Sequence, residues 1–193
     1  MNEYFKQVSA DIWFSLSSID NTEFNELATD AVTTLEEGRK IIVSGLGKNV
    51  PVCDKFVGTM LSMGQRASYM NTNSAIHGDL GMVESGDMVI ILTKSGETAE
   101  SKYLYSLLRK RACRRWLLTF NRESTLGQNV DHVLALKLKH EGDPWNIIPN
   151  NSTTINLIVL QGLAMEIIKR RGLTLGEFKK NHPGGYIGEV LDL

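Results

Sequence analysis

The stretch Met88-Val89-Ile90-Ile91-Leu92-Thr93-Lys94-Ser95-Gly96-Glu97-Thr98 decides the fold class of this chain. Its apolar run from Met88 to Leu92 has no polar alternation, which predicts a strand covered on both faces, as in a parallel sheet. The run opens through a Ser-Gly turn into a predicted helix that ends near Arg109. A buried strand that leads through a glycine turn into a helix is the unit of a doubly wound α/β sheet.

A second unit of the same kind lies upstream. Ile41-Ile42-Val43 predicts a strand, Ser44-Gly45-Leu46-Gly47 a turn, and Val50–Met63 a helix. The remaining predicted elements are two helices within residues 1–38, strands at 66–70, 116–118 and 133–136, and helices at about 153–169 and 174–180 that precede a Pro183-Gly184-Gly185 turn. Together they predict an α/β fold with a five-stranded parallel sheet flanked by helices.

The N-terminal residues 1–38 are predicted to form a helical hairpin, in which Asp20 and Glu23 make a capping box for the second helix. Residues 39–193 are predicted to form the α/β core, which ends in the His182-Pro183-Gly184-Gly185 segment. Because 193 residues suit one hydrophobic core, a single domain is expected.

Charge and composition exclude several classes of protein. The chain has 21 Lys and Arg against 22 Asp and Glu, so its net charge of −1 argues against a nucleic-acid binder. The basic runs at 109–111 and 114–115 lack interleaved aromatic residues and are interpreted as a solvated helix end. No signal peptide or bilayer-spanning run is present, and Cys53 and Cys113 have no metal-ligand spacing, so a cytoplasmic protein without membrane contact is predicted.

Two glycine-containing loops are expected to meet at one edge of the sheet, where parallel strands present their carboxyl ends to ligands. The first loop carries Gly47, Lys48 and Asn49, and the second carries Ser95, Gly96, Glu97 and Thr98. Free backbone N–H groups, hydroxyls and a lysine would together hold a phosphate. The alternative is that Ser95 only caps a helix and the glycines only turn the chain.

Two nucleotide-binding motifs are incomplete in the first loop. Val50 stands where a dinucleotide fingerprint has its third glycine. A P-loop would need glycine at Ile42 and Ser or Thr at Asn49. No nucleotide cofactor is therefore predicted.

Candidate acid–base groups lie in several segments. Glu97 and Glu100 fall in the first turns of a predicted helix, where a carboxylate can also simply complement the helix dipole. Glu141 lies in a loop after an apolar strand, a good place for a proton-abstracting base. His182 precedes Pro183 and can shuttle protons or cap a helix, whereas His77 lies in a glycine-rich loop without the spacing of a metal site.

Five segments together resemble the SIS (sugar isomerase) domain family, and within it the arabinose-5-phosphate isomerase branch. They are Gly45-Leu46-Gly47-Lys48, His77-Gly78-Asp79-Leu80-Gly81-Met82, Ser95-Gly96-Glu97-Thr98-Ala99-Glu100, Ser152-Thr153-Thr154 and His182-Pro183-Gly184-Gly185. The resemblance implies a three-layer sandwich that assembles as a homodimer or homotetramer with shared active sites. It also implies that the Ser95 loop and Ser152-Thr153-Thr154 hold a sugar phosphate.

By the same resemblance Lys48, Glu100, Glu141 and His182 match catalytic positions, and His77 matches a histidine that lines the site and can contact inhibitory zinc. The implied reaction is aldose–ketose isomerisation through an enediol, with arabinose 5-phosphate and ribulose 5-phosphate as the candidate substrate pair. By the resemblance, this reaction needs no redox cofactor or resident metal. A carboxylate base, a proton shuttle and a cation for the developing oxyanion suit that chemistry. The rival interpretation is a non-catalytic module that senses a sugar phosphate or nucleotide sugar.

Three residues depart from the branch pattern. Asn49 replaces the usual hydroxyl residue, Ser74 a common glutamate, and Lys94 the usual asparagine of the phosphate loop. The first two changes are expected to affect which sugar hydroxyls are recognised, and Lys94 adds a positive charge near the phosphate. The paired CBS modules that often follow this domain are missing from the sequence, so no regulation through them is expected.

Overall fold

The protein folds as an α/β sandwich of three layers around one parallel sheet. The structure is a computed structural model that describes residues 2–190 apart from the Ile187 side chain. Its elements, in chain order, are α1 (Glu3–Ser17), α2 (Asn21–Glu36), β1 (Ile41–Gly45), α3 (Val50–Ser62), β2 (Ala67–Tyr69), α4 (Thr72–Ala75), β3 (Met88–Thr93), α5 (Ala99–Leu108), β4 (Arg114–Thr119), β5 (His132–Ala135), α6 (Asn151–Arg170), α7 (Leu175–Lys180) and α8 (Gly185–Val190). The predicted fold class is confirmed.

The five strands run parallel in the order β2-β1-β3-β4-β5. Gly45 pairs with Leu92 and Thr93 pairs with Thr119, so the central strands end at the same edge. The chain adds β2 on one side of β1 and β3 on the other. The β1–β3 boundary is therefore the topological switch point, where open parallel sheets bind ligands.

Alternating strand side chains face two separate apolar cores, because successive residues of a strand point to opposite faces. On one face Ile41, Val43 and Ile90 pack against α2, α3 and α6, and on the other Ile42 and Ile91 pack against α4 and α5. This burial on both faces explains why the strands are apolar without alternation. Among residues 2–190, no helix combines the length and the apolar character that crossing a bilayer demands.

Helix α2 shows how local and tertiary contacts compete for one side chain. Asp20 caps the helix by accepting hydrogen bonds from the N–H groups of Thr22 and Glu23. The reciprocal half of the predicted capping box does not form, because the Glu23 carboxylate instead accepts from the Ala135 N–H and pairs with Arg122. That carboxylate thereby ties α2 to the end of β5.

The basic segment between α5 and β4 also differs from the sequence interpretation. Arg114 makes two hydrogen bonds to the Glu37 carboxylate at 3.0 and 3.1 Å, and Arg115 pairs with Asp131 at 2.5 Å. The Arg114 and Arg115 side chains are thus held against neighbouring elements rather than solvated. Helix α4, with only four residues, and helix α8, which begins at the predicted Gly185 turn, were not predicted.

Candidate active site

A cavity of about 340 Å³ lies over the carboxyl ends of β1 and β3. We call it the switch-point cavity. Its polar walls are formed by Lys48, Asn49, Lys94, Ser95, Thr98, Ser101, Ser152, Thr153 and Asn156. They come from the loop after β1, the loop after β3 and the start of α5, and the first turns of α6. Three segments distant in sequence therefore converge at the predicted ligand edge.

The loop after β1 brings a cation to the cavity. Residues Gly47–Asn49 form a single 3-10 turn that leads directly into α3. Lys48 is exposed on this turn and lines the cavity. The Asn49 side chain accepts a hydrogen bond from the Asn156 amide at 3.0 Å, which holds the turn against α6. The predicted residues Gly47, Lys48 and Asn49 are thus all at the cavity wall.

The loop after β3 is folded by its own side chains. Thr93 Oγ1 accepts from the Gly96 N–H at 3.3 Å, and Ser95 Oγ accepts from the Glu97 N–H at 3.1 Å. Ser95 and Thr98 face the cavity, whereas Gly96 is buried against Ser124. Thr98 is the N-cap residue of α5 and makes no side-chain cap bond. Its hydroxyl therefore lies at a helix start that is suited to an anion.

Glu97 points away from the cavity. Its carboxylate accepts hydrogen bonds from the Thr125 N–H and hydroxyl and pairs with Lys102 at 3.0 Å. The bond from the Thr125 N–H is the largest contribution, and together these contacts lower the pKa of Glu97 to about 2. Glu97 was predicted to bind substrate, but the structure uses it to tie two loops together.

Glu141 is fully buried behind the cavity residues Lys94 and Ser152 and accepts four hydrogen bonds. Oε1 accepts from Lys94 Nζ at 2.6 Å and Ser152 Oγ at 2.7 Å. Oε2 accepts from the N–H groups of Asn150 at 3.1 Å and Ser152 at 2.9 Å. Burial acts to raise the pKa of Glu141, but Lys94 and the hydrogen bonds outweigh it, so the pKa lies below its ordinary value. The carboxylate thus occupies the anion position at the start of α6.

The first turn of α6 completes the cavity. Ser152 and Thr153 line it, and Thr154 lines an adjoining groove that it shares with Lys48 and Thr153. Asn156, one turn further along, is 2% exposed. Its Oδ1 has no hydrogen-bond partner among the described residues 2–190. A buried acceptor without a donor is costly, so this atom marks a place for a ligand hydroxyl.

Glu100 and His77 are exposed near the ligand edge but outside the cavity wall. Glu100 lies in the first turn of α5, beside the cavity residues Thr98 and Ser101. His77 follows α4, whose Thr72 hydroxyl is 2.9 Å from the Ser44 hydroxyl on β1. In residues 2–190 no three His, Cys, Asp or Glu side chains are grouped as metal ligands.

His182 lies near the end of α3 that is far from Lys48. Its ring stacks on Phe178 with centroids 3.9 Å apart, and Nδ1 is 2.8 Å from the Phe178 carbonyl. The neighbouring Asn181 donates to the Ser62 carbonyl, the last residue of α3. Because α3 spans about 20 Å and begins beside Lys48, His182 cannot reach the cavity of its own chain.

Sequence reasoning missed Asn156, Ser101 and the contact between Lys94 and Glu141. Asn156 and Ser101 lie within predicted helices, near their starts, where a polar residue on an apolar face was the available signal. In the sequence, Lys94 differs from its neighbours only as a departure from the asparagine usual in the phosphate loop. Its position at the end of β3 gave no indication that it reaches a carboxylate 47 positions later.

Known proteins resemble this chain in sequence and in fold. Residues 34–164 match the family model described as SIS domain. The chain is 36% identical over 151 residues to arabinose 5-phosphate isomerase KpsF of Escherichia coli, covering 78% of this chain and 48% of that protein. It is 34% identical over 152 residues to arabinose 5-phosphate isomerase KdsD of Yersinia pestis, covering 79% and 46%. The chain thus spans about half the length of the curated relatives it matches.

A solved structure of an Escherichia coli CFT073 protein in complex with arabinose 5-phosphate is also similar. It superposes with a TM-score of 0.86 at 27% identity, covering 93% of this chain and 94% of that one. The matched family region contains both loops of the switch-point cavity and the start of α6. The chain belongs to the SIS domain family.

Proposed function

We propose that this chain is an aldose–ketose isomerase of sugar phosphates, with arabinose 5-phosphate and ribulose 5-phosphate as its substrate pair. The observation that carries the proposal is the switch-point cavity, whose wall carries two lysines and several hydroxyls and two of whose residues, Lys94 and Ser152, donate to the buried Glu141 carboxylate. The names of the curated relatives, KpsF and KdsD, support the choice of sugar phosphate.

The phosphate is bound by the loop after β3 and the start of α6. Ser95, Thr98, Ser152 and Thr153 line the cavity and can donate hydroxyl hydrogen bonds. The free N–H groups at the start of α5 add donors and the positive end of a helix dipole. With a net charge of −1 the chain offers no general cationic surface, so these local donors supply the affinity.

The sugar is oriented by Lys48 and the Asn49–Asn156 pair. The unpartnered Asn156 Oδ1 accepts a hydrogen bond from one substrate hydroxyl. A sugar that lacks a hydroxyl at this place leaves the acceptor unpaired, which is a strong basis for discrimination. Asn49 stands where the family branch usually has a hydroxyl residue, so this pair tunes which sugar is accepted.

In the proposed reaction Glu141 removes the proton from C2 of the open-chain aldose and returns it to C1 after the enediol forms. Lys48 stabilises the negative charge that develops on the sugar oxygen. His182 opens the ring or moves the second proton between O2 and O1, and Glu100 acts as a second acid or base or positions the hydroxyls. Each step transfers a proton without net oxidation, so the reaction needs no redox cofactor.

A second copy of the chain is required by this mechanism. His182 lies at the far end of α3 from Lys48 and so must act in the cavity of another copy. We therefore propose a homodimer or homotetramer with shared sites, in which His77 also approaches a neighbouring cavity. Family resemblance supports the assembly, and the exposed position of His77 is compatible with it.

The experiment that tests the function is a panel of aldose and ketose phosphates incubated in deuterated water, with exchange at C2 followed by NMR. Exchange and interconversion of arabinose 5-phosphate are expected. Glu141→Gln is expected to abolish turnover while sugar-phosphate binding persists. Binding without exchange across the whole panel would show a sensor instead.

Sharing of the site is tested by mixing Lys48→Met with His182→Ala after separate purification and subunit exchange. Each variant alone is expected to be inactive. Random dimers of the two should regain about a quarter of the wild-type sites, because half of the dimers carry one intact site. Mixtures that stay inactive despite proven subunit exchange would contradict a shared site.

A further inference from the structure

We propose that Lys94 couples substrate binding to catalysis: it covers Glu141 until the substrate phosphate draws it away into the switch-point cavity. The inference rests on the proposed function and deepens it. It assigns to Lys94 the role of covering and uncovering the base, at a position where the branch usually has asparagine.

The first step of the argument is the saturation of Glu141. A carboxylate has about four acceptor positions, and those of Glu141 receive four donors. A base needs one free lone pair to accept the proton from carbon. While all four donors are in place, Glu141 therefore lacks the free acceptor that its proposed role requires.

The second step is that only one of the four donors can leave. The N–H groups of Asn150 and Ser152 and the Ser152 hydroxyl are fixed around the start of α6. Lys94 is a flexible side chain that is 44% exposed, whereas the Glu141 side chain is fully buried. Departure of Lys94 Nζ frees Oε1 and leaves the other three hydrogen bonds intact.

The third step identifies what moves Lys94. The lysine extends from the end of β3, lines the cavity and precedes Ser95 of the proposed phosphate loop. Lys48 and Lys94 are the two charged residues in the cavity wall among those the structure describes. A phosphate dianion there competes with Glu141 for the ammonium and, being doubly charged and close to Lys48, is the stronger partner.

The consequence is selectivity in the chemical step itself. A sugar without phosphate can enter the cavity, but it leaves Lys94 on Glu141 and the base covered. A sugar phosphate supplies the anion that draws Lys94 off Glu141. Part of the phosphate binding energy thus serves to free the base that acts at the reacting carbon.

The first test is titration with inorganic phosphate by calorimetry, which requires no turnover. Lys94→Met should weaken phosphate binding about tenfold, the value of one charge-assisted hydrogen bond. Glu141→Gln should tighten it about threefold or more, because the competing charge is gone. The double variant, which leaves no unpaired charge buried, should bind phosphate as weakly as Lys94→Met. Lys169→Met and Glu36→Gln, which remove the same charges far from the cavity, should bind like the wild type.

Three results of this titration would overturn the proposal. Weaker phosphate binding by Glu141→Gln would mean that Glu141 holds Lys94 in place to bind phosphate, instead of competing with phosphate for it. Unchanged binding by Lys94→Met would remove Lys94 from the anion site. Absence of saturable phosphate binding to the unaltered chain would remove the anion site itself.

A second test measures proton exchange and remains decisive if Glu141→Gln fails to fold. In Lys94→Met, exchange into arabinose 5-phosphate should fall, whereas exchange into unphosphorylated arabinose should rise about tenfold over wild type. Simple structural damage would lower both rates, and that result would refute the coupling.

The two proposals fail separately. If the unaltered chain exchanges no sugar phosphate but shows the phosphate titration pattern, the isomerase proposal fails and the competition for Lys94 stands. If the chain isomerises arabinose 5-phosphate but Lys94→Met changes neither the phosphate affinity nor the ratio of the exchange rates of arabinose 5-phosphate and arabinose, only the proposed role of Lys94 is refuted.

Discussion

Replacing Gly96 by alanine is expected to destabilise the protein more than any other glycine substitution at the cavity. Gly96 has a φ of +67° and is packed against Ser124. A Cβ at this position would lie 2.5 Å from Ser124 Cβ and closer still to its Oγ. Ser124 cannot easily retreat, because its hydroxyl donates to the Asn121 carbonyl and accepts from the Gly127 N–H.

Two costs add in this variant. A non-glycine residue in the left-handed region costs about 1–2 kcal/mol. Overpacking a close-packed site costs about 1–3 kcal/mol more. The free energy of unfolding should therefore fall by about 2–5 kcal/mol, which lowers the melting midpoint by about 5–20 °C for a chain of this size.

Gly47 provides a matched control in the loop after β1. Its φ is +57°, but a Cβ there would meet nothing within 4 Å. Gly47→Ala should then carry only the backbone cost of about 1–2 kcal/mol. Urea denaturation followed by circular dichroism measures both variants, and their difference isolates the contact with Ser124.

A double-mutant cycle tests the assignment to Ser124. Ser124→Gly removes the atoms that the new methyl group would strike, so it should recover about 1–3 kcal/mol in the Gly96→Ala background. Equal destabilisation by Gly96→Ala and Gly47→Ala, or no coupling between Gly96 and Ser124, would refute the reasoning.

Three further outcomes are expected. Because the pKa of Glu97 falls from 4.5 to about 2 on folding, its stabilisation is complete above pH 4.5 and is lost as the pH falls toward 2. The unfolding midpoints of Glu97→Gln and the wild type should converge over that range, and a constant gap would contradict the assignment. Burial raises the pKa of the Cys53 thiol to about 12, so Ellman's reagent should modify half-buried Cys113 first and reach Cys53 only on unfolding. Trp116→Phe should lower the free energy of unfolding by about 2 kcal/mol, because the Trp116 indole N–H donates to Asp30 at 2.8 Å. If this bond contributes nothing, denaturation should show that the losses caused by Trp116→Phe and Asp30→Asn simply add in the double variant.

The sheet could be predicted because its signal is local. Strands β1 and β3 are apolar runs that end in Gly45 and in the Ser95-Gly96 turn, and short-range patterns reveal both. The four-residue helix α4 is too short to show the 3.6-residue hydrophobic period by which helices are recognised in a sequence. The capping box predicted at Asp20 is incomplete for another reason. The Glu23 carboxylate accepts from the Ala135 N–H, a tertiary contact that local sequence rules do not predict.

The residues that line the cavity were easier to predict than the burial and charge pairing of Glu141. Ser95, Thr98 and Ser152 occupy the cavity wall because strand ends and helix starts fix their positions. The burial of Glu141 and its contact with Lys94 depend on how a long loop folds back over α6, which sequence spacing does not encode. His182 was recognised as a motif, but its distance from the cavity follows from helix packing.

The two edges of the sheet have a consequence for how the chain avoids misassembly. Edge strand β2 has three residues and edge strand β5 has four, whereas β3 and β4 have six each. Short edges offer few unpaired N–H and C=O groups on which another polypeptide could add a strand. The segment Met88–Thr93, uncharged, apolar and rich in β-branched residues, has the composition of an amyloid-forming hexapeptide. Its place at the centre, paired on both sides, keeps this aggregation-prone segment out of contact with other molecules once folding is complete.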